Sequence, residues 1–512
     1  MMAMDVALDP RPLSTPTSEA TMQHPQPHPK PLSTSVIGAS LAGLFAAAAA
    51  ANAGHQVTII ERDGIPTTPQ ARRGVPQSEQ THILLHRGLL SAEHLLPGLH
   101  DELIQRGAPE FKVGRMALLS ADGWAPRGDY GYPLVCSSRT LLEHVIRKRV
   151  LALPNVRVLE QTRVQALHQD PSGAWTIQLQ PTDHSSSPGG EHSLAADLVI
   201  DASGRSSRLP TWLKGLGLPP VPTTTIDARV GYATRRFTSP RPPGPGVLML
   251  ASARQSRGCI VSPVEDGYWQ VTTVGRGEDR PSRDGEEFLE HLAKLPDPMA
   301  LDMVKGMTPV SDVVVHRQTA NVRHHYGKSR RWPAGLLVTG DALCALNPVY
   351  GSGITVAACQ GLLLERSFMK AQGGRLNTRR LQRGLARTAD LPWTMATSQD
   401  RQLLTTPQRA RPVEAVVGWW GSEVARLAGQ GNDRAADVMQ AVTHLMSHPI
   451  ALFTPPLLLA SLRSRLRPRR SQAPEATPAR GPRPFGGDAH APLDLRDLEA
   501  PALAGEGRSA LG

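Results

Sequence analysis

The stretch Val36-Ile37-Gly38-Ala39-Ser40-Leu41-Ala42-Gly43-Leu44, continued by Val57-Thr58-Ile59-Ile60-Glu61, decides how the rest of the chain reads. A short apolar run, a glycine turn, an alanine-rich segment and a second apolar run ending in an acid make the pattern of a dinucleotide-binding βαβ unit. Gly38 permits the sharp turn, and Gly43 lets the helix lie close to the sheet. The helix start offers free backbone N–H groups to a pyrophosphate. Glu61, roughly 20 residues on, can accept the ribose hydroxyls, and Arg62 beside it is a further candidate cofactor contact. Ser40 stands where the pattern has its middle glycine, and its hydroxyl can reach a phosphate oxygen. Taken alone, the stretch competes with an ordinary βαβ crossover of some other α/β protein.

A chain of 512 residues can bury a sizeable core in one large or two medium domains. Its net charge of +11 points at first to nucleic acid. The location of the charge excludes that reading: Arg463, Arg465, Arg467, Arg469, Arg470, Arg480 and Arg483 share one C-terminal segment with a single acid, Glu475. A basic tail of this kind contacts solvent or an anionic membrane surface more often than it reads bases, and no nucleic-acid motif accompanies it. The cysteines Cys136, Cys259, Cys344 and Cys359 are scattered, which fits a reducing cytoplasm better than disulfides. His324, His325, His444 and His448 lack carboxylate or cysteine partners at ligand spacing, so no metal site is expected. No apolar run reaches the roughly 20 residues of a spanning helix, and the start lacks the order of a signal peptide.

Outward from the opening stretch, residues 1–33 are rich in Pro, Ser, Thr and His and read as a disordered leader. Residues 34–221 carry the first two segments of an α/β cofactor domain. From 222 to 320 strand-like runs read as an inserted β-rich sheet, the natural place for a substrate. A third cofactor-domain segment covers 321–390, a helical region 391–462, and a basic, disordered tail 463–512. The apolar segment Pro449–Leu462 leads into that tail. It reads either as packed against the cofactor domain or as an interfacial helix on anionic membrane.

Two later segments add to the first. Asp201-Ala202-Ser203-Gly204-Arg205-Ser206-Ser207-Arg208 closes a buried strand, and Gly340-Asp341-Ala342, with Asn347-Pro348 and Gly351-Ser352-Gly353, closes another. Together with Val36–Glu61, they resemble, in order, the motifs of the FAD-dependent monooxygenases of the p-hydroxybenzoate hydroxylase and squalene epoxidase type. The resemblance implies a Rossmann-like FAD-binding domain with an inserted β-rich substrate domain and a helical C-terminal region. It implies that Asp341 meets the ribityl hydroxyls, that Pro348 stiffens the loop beside the ring, and that Gly351 and Gly353 let backbone approach the flavin. Arg139, at the start of a serine-capped helix, resembles the arginine this family places near the flavin. The loop from Gly74 and Gln77 to His82 looks like that of a bacterial, epoxidase-like subset, although Glu79 and Gln80 stand where that subset has basic residues.

The implied chemistry is hydroxylation or epoxidation of an apolar or aromatic organic substrate. NAD(P)H reduces the flavin, O2 adds at ring carbon C4a, and the resulting hydroperoxide passes an oxygen atom on. No second Gly-x-Gly-x-x-Gly follows a strand, so NAD(P)H docks transiently or a partner reductase supplies electrons. A reductase of the geranylgeranyl reductase type is the alternative. A halogenase is disfavoured because no Trp-x-Trp-x-Ile-Pro element is present.

Overall fold

The computed structural model describes residues 31–466, apart from 73, 76, 122, 126, 183–191, 241–243, 253, 372–375 and 405–411. The leader expected over 1–33 therefore lies outside the described residues up to position 30, and the expected tail does so from 467 onward.

In the cofactor domain the elements are β1 (Ser33–Ile37), α1 (Leu41–Asn52), β2 (Gln56–Ile60), α2 (His86–Leu95), α3 (Arg139–Leu151), β3 (Val156–Leu159), β4 (Leu198–Asp201), β5 (Leu336–Val338) and α4 (Gly353–Lys370). The strands form one parallel sheet in the order β5-β4-β1-β2-β3. β1 is central, with Val36 opposite Ile59 on one side and Ile200 on the other. A strand buried on both faces needs a continuous apolar run, which is what the sequence supplies here.

Helix α1 is apolar all round, and Leu44, Phe45 and Ala46–Ala50 have no exposed surface. Such a helix belongs inside a core. Its alanines let it lie between the sheet and α4, where a Cβ on Gly361 would come within 2.9 Å of the Phe45 Cβ. Replacing one of these alanines by a larger residue would overpack that layer, at a cost of about 1–3 kcal/mol.

The second sheet is mostly antiparallel and runs Thr308–Pro309, Val230–Thr238, Tyr268–Arg276, Arg257–Pro263, Val247–Met249, Ala117–Ser120, Gly123–Trp124. Ala117–Ser120 lies outside the 222–320 stretch and joins the sheet by pairing parallel to Val247–Met249. The strand-like run that opens the 222–320 stretch is divided into Thr223–Ile226 and Val230–Thr238. Asp227 accepts the Arg229 N–H at 2.8 Å in a tight turn that puts Arg229 at φ +51°. Thr223–Ile226 consequently pairs with Asn321–His324 in a separate small sheet.

Strand alternation gives the large sheet two unlike faces. Ala233, Phe237, Val261, Trp269 and Val271 form one core with Phe288 and Leu292 of a covering helix. Tyr232 and Val274 pack instead with Val349, and Leu248 packs with Ile83 against the cluster of Phe111, Met116, Leu134 and Cys136. The sheet thus turns its second face to two loops of the cofactor domain. Helices Asp390–Gln402, Pro412–Gly429, Asp433–Thr443 and Pro455–Leu466 complete the C-terminal region.

Candidate cofactor and substrate cleft

The three quoted segments meet at the C-terminal ends of β1, β4 and β5. Gly38 sits at φ +102°, and a Cβ there would stand 2.7 Å from the Ala202 carbonyl oxygen. At Gly43 a Cβ would fall 1.8 Å from the Gly38 oxygen, so only glycine lets α1 close on the turn. Gly340, at φ +61°, packs against Ala42 in the same way, since its Cβ would lie 2.5 Å from the Ala42 Cβ. Gly38 and Gly43 therefore make room for backbone, and Gly340 for the Ala42 methyl group. No side chain caps the start of α1, which leaves its first N–H groups and positive dipole end for an anion.

Around this start lies a buried charge cluster. Glu61 accepts the Ala39 N–H at 2.8 Å and the Arg72 guanidinium at 3.2 Å. Arg72 also pairs with Glu143 at 2.5 Å. Arg139 pairs with Glu143 at 3.1 Å and donates to Ser40 Oγ at 3.0 Å, and Arg147 reaches Glu143 at 3.6 Å. Burial alone would raise the Glu143 carboxyl, but Arg139 and Arg72 outweigh it and hold it below the usual range. Three guanidiniums against two carboxylates leave this end of the groove positive. That suits a pyrophosphate. Arg62, by contrast, is exposed, with Asp63 3.9 Å away.

At the other end, Asp341 follows β5. It pairs with Arg205 Nε at 3.4 Å and keeps 35% of its side chain open to the groove. Burial holds its carboxyl above the ordinary range, opposed by Arg205 and Arg139. Arg205 also donates to the Ala320 carbonyl at 2.7 Å and the Leu346 carbonyl at 2.5 Å, tying the second motif to the third. Asp201 is fully buried and serves its own turn, accepting from the Ser203 and Ser207 hydroxyls at 2.6 and 2.5 Å. Gln360 of α4 fixes the Gly340 turn by accepting from the Gly340 N–H and the Thr339 hydroxyl, both at 2.7 Å.

The loop Asn347–Gly353 is held from behind. Asn347 turns its carboxamide to Asp400, donating at 3.1 Å, and Tyr350 Oη donates to the same carboxylate at 2.6 Å. Asn321 donates to it at 2.5 Å as well. Asp400, from helix Asp390–Gln402, is fully buried. Pro348 opens the short turn, and Gly351, at φ +65°, lies against Ile83. Nothing stands within 4 Å of where a Gly353 Cβ would be, so the start of α4 is open. Ser352 beside it is buried, and its hydroxyl has no partner among the described residues.

His82 donates from Nδ1 to the Gln80 carbonyl at 2.8 Å, which leaves Nε2 as an acceptor. Burial, reinforced by Arg139, lowers its pKa to about 3, so the ring is neutral at ordinary pH. Across the cleft, the Thr234 hydroxyl donates to Gln80 at 2.5 Å, and the Thr81 and Thr272 hydroxyls pair at 2.8 Å. Tyr232 is 4% exposed, and its hydroxyl has no partner among the described residues. Burial raises that hydroxyl's pKa, with Arg205 and Asp341 as the charges it senses.

These features fit FAD: a cradle that only glycines allow, a positive nucleotide end, and a helix start with an unpartnered buried hydroxyl. The profile of the FAD-binding domain family matches residues 32–398. The chain belongs to that family. It is an FAD protein. Protein Rv3254 of Mycobacterium tuberculosis is 31% identical over 378 residues, covering 70% of this chain and 78% of the relative. The solved flavoprotein/dehydrogenase from Cytophaga hutchinsonii shares the fold with a TM-score of 0.60 at 15% identity, over 85% of this chain and 99% of that one. OxyS anhydrotetracycline hydroxylase from Streptomyces rimosus does so at 0.53 and 13%, over 81% and 76%. The flavin-dependent brominase Bmp2 (in a triple-mutant structure) and the halogenase CmlS, at 14% and 17% identity, share the fold as well.

Sequence reasoning placed Gly38, Ser40, Gly43, Glu61, Arg139, Asp341, Pro348, Gly351 and Gly353 along this groove. It did not single out Arg72, Glu143, Arg147, Arg205, Tyr232 or Asp400. For Glu143 a signal existed, since it stands four residues after Arg139 on a helix.

Proposed function

We propose that this flavoprotein is a monooxygenase that hydroxylates or epoxidises an apolar or aromatic organic substrate, using O2 and NAD(P)H. The observation that carries this reading is the second face of the large sheet, where Tyr232 and Val274 pack with Val349 of the flavin-side loop while Leu248 and Ile83 pack against one neighbouring apolar cluster. A substrate entering there would lie between the sheet and the start of α4, against the apolar Val274 and Val349 and the polar groups of Tyr232, Thr234, Thr272 and Gln80.

Gly38, Gly43 and the start of α1 would hold the pyrophosphate, with Arg139 and Arg72 supplying positive charge. Asp341 would hold the ribityl hydroxyls, and Gly351, Gly353 and Ser352 would meet the ring. Bound FAD supplies the redox chemistry and the activation of oxygen. The chain's own part is to bind, orient and exclude water. His82 is neutral and too weak a base at pKa about 3 to take a proton at neutral pH, so its role here is that of a hydrogen-bond acceptor. Tyr232 offers a hydroxyl with no partner among the described residues to orient a substrate oxygen.

The test is to screen apolar and aromatic compounds for stimulation of NAD(P)H oxidation while recording O2. Equal consumption of NAD(P)H and O2 with an oxygenated product is expected. Turnover of the same compound under argon would instead assign the protein to the flavin reductases.

A further inference from the structure

The C-terminal region buries one side of its helices and leaves the other bare. Trp420, Val424 and Leu427 of helix Pro412–Gly429 form a small core with Leu452 and Leu457. Trp420 Nε1 donates to the Leu452 carbonyl at 2.7 Å, and the Ser461 hydroxyl donates to Glu423 at 2.5 Å. These contacts fix which way helix Pro455–Leu466 faces. Leu457 and Ser461 point inward, while Leu458, Leu459 and Leu462, at spacings of one and four, face out together. Arg463 is exposed at the border of that face. On the neighbouring helix Val416 and Trp419, three residues apart, are also turned outward, each 56% exposed, and Ile450 on the connecting turn reaches 71%.

Six of the fourteen large apolar side chains exposed among the described residues thus lie between Val416 and Leu462. Single exposed leucines need no explanation, but such a concentration marks a surface that something covers. The adjoining sequence says what. From Pro449 to Arg470 the chain holds five arginines (Arg463, Arg465, Arg467, Arg469 and Arg470) and no Asp or Glu. A second copy meeting this patch about a two-fold axis would set arginine against arginine. An anionic lipid surface would neutralise them while taking up the leucines and the tryptophan, whose ring suits the headgroup boundary.

We propose that the surface formed by Val416, Trp419, Ile450, Leu458, Leu459 and Leu462, with Arg463 at its border, docks the protein peripherally on anionic membrane. It lies on the surface and does not span, since no helix among the described residues is long and apolar enough to cross a membrane. Docking of this kind would put the enzyme where an apolar substrate is concentrated, although the proposal stands whatever reaction is catalysed.

The experiment is flotation of the full-length holoprotein with vesicles of phosphatidylcholine, alone or mixed with phosphatidylglycerol. Binding to the mixed vesicles is expected, with little to the neutral ones, and raised salt should weaken it because the arginine contribution is screened. The double variant Leu459→Glu/Leu462→Glu should bind at least about tenfold more weakly with its FAD absorbance unchanged, since both side chains already face water. If that variant loses FAD, Arg463→Gln decides instead, with a loss of about fivefold expected for one arginine near an anionic surface. Absence of binding to the mixed vesicles would overturn the proposal, as would binding that neither the variants nor salt affects. Dimerisation in light scattering that the double variant abolishes, without vesicle binding, would assign the patch to a second copy.

Discussion

At the nucleotide end of the groove three arginines close on two glutamates, whereas behind the flavin-side loop one buried carboxylate, Asp400, gathers three neutral donors. The first arrangement carries surplus positive charge into the interior, which an anionic ligand can use. The second carries none and holds a loop in shape without competing for that ligand. Positive charge is concentrated where the cofactor is negatively charged, and hydrogen bonds from neutral donors to one buried carboxylate serve where the flavin ring and an apolar substrate are expected. The difference can be broken from either side.

The largest effect is expected at Glu143. A Glu143→Gln variant would leave Arg72, Arg139 and Arg147 buried together with only Glu61 for charge compensation. Removing one partner of a buried ion pair costs about 3–5 kcal/mol, so denaturant unfolding should show a loss of that order together with weaker FAD binding. Unchanged stability would mean that the cluster is hydrated and does not act as a unit.

Acid should separate the C-terminal contacts from the nucleotide end. His444 Nδ1 accepts the His86 N–H at 3.1 Å, and burial, with His86 as a second cause, lowers the His444 pKa to about 4 from 6.5. The folded ring is therefore neutral where the unfolded chain takes up a proton. Between pH 6.5 and 4 the unfolded state binds more protons, so stability falls as pH falls. At about 1.4 kcal/mol per pH unit, the full loss is about 3 kcal/mol, complete near pH 4. Glu143, held below the usual carboxylate range by its arginines, gives up its charge only at lower pH than an ordinary glutamate. His444→Gln should make the dependence shallower, leaving the part that His82, with its pKa lowered to about 3, contributes over the same window, and hydrogen exchange should report that the variant no longer loosens around His86 as pH falls.

How much of this the sequence disclosed follows from how local each feature is. The turn at Gly38, the packed alanines of α1 and the Gly340-Asp341 turn are short-range patterns with steric causes, and they were legible. Glu61 was legible as an acid, but its pairing with Arg72 requires the loop after β2 to fold back. Asp400 lies 53 residues from Asn347, and no spacing rule joins them. Ala117–Ser120 enters the large sheet through a parallel pairing with strand Val247–Met249, which periodicity within either strand cannot reveal. Asp201 was read as part of a cofactor motif, and burial shows that its carboxylate organises the turn carrying Arg205. Tertiary closure, not composition, decides all of these.

A smaller effect is expected at Asp400. Asp400→Asn keeps the shape but sets an amide donor against the donors Asn321, Asn347 and Tyr350. Hydrogen bonds to a charged group contribute about 1.5–3 kcal/mol, so a loss of about 2 kcal/mol is expected. Because the contact anchors the flavin-side loop, the visible spectrum of the bound flavin should shift as well. A stability loss with an unaltered flavin spectrum would make Asp400 a support of the helix alone.

The smallest effect on stability, and the most informative, belongs to Tyr232. Its hydroxyl is buried without a partner among the described residues, and a buried donor left unpaired costs stability. Tyr232→Phe removes that uncompensated group while keeping the ring, which stacks obliquely on His316 at 5.1 Å between centroids. Stability should stay level or rise by up to about 1 kcal/mol, whereas deleting a hydrogen-bonded group would lower it. If the hydroxyl orients substrate, the same variant should lose substrate-stimulated NAD(P)H oxidation about tenfold while binding FAD as before. Lower stability with full activity would show that the hydroxyl has a structural partner, and the substrate would then be oriented from elsewhere on the sheet.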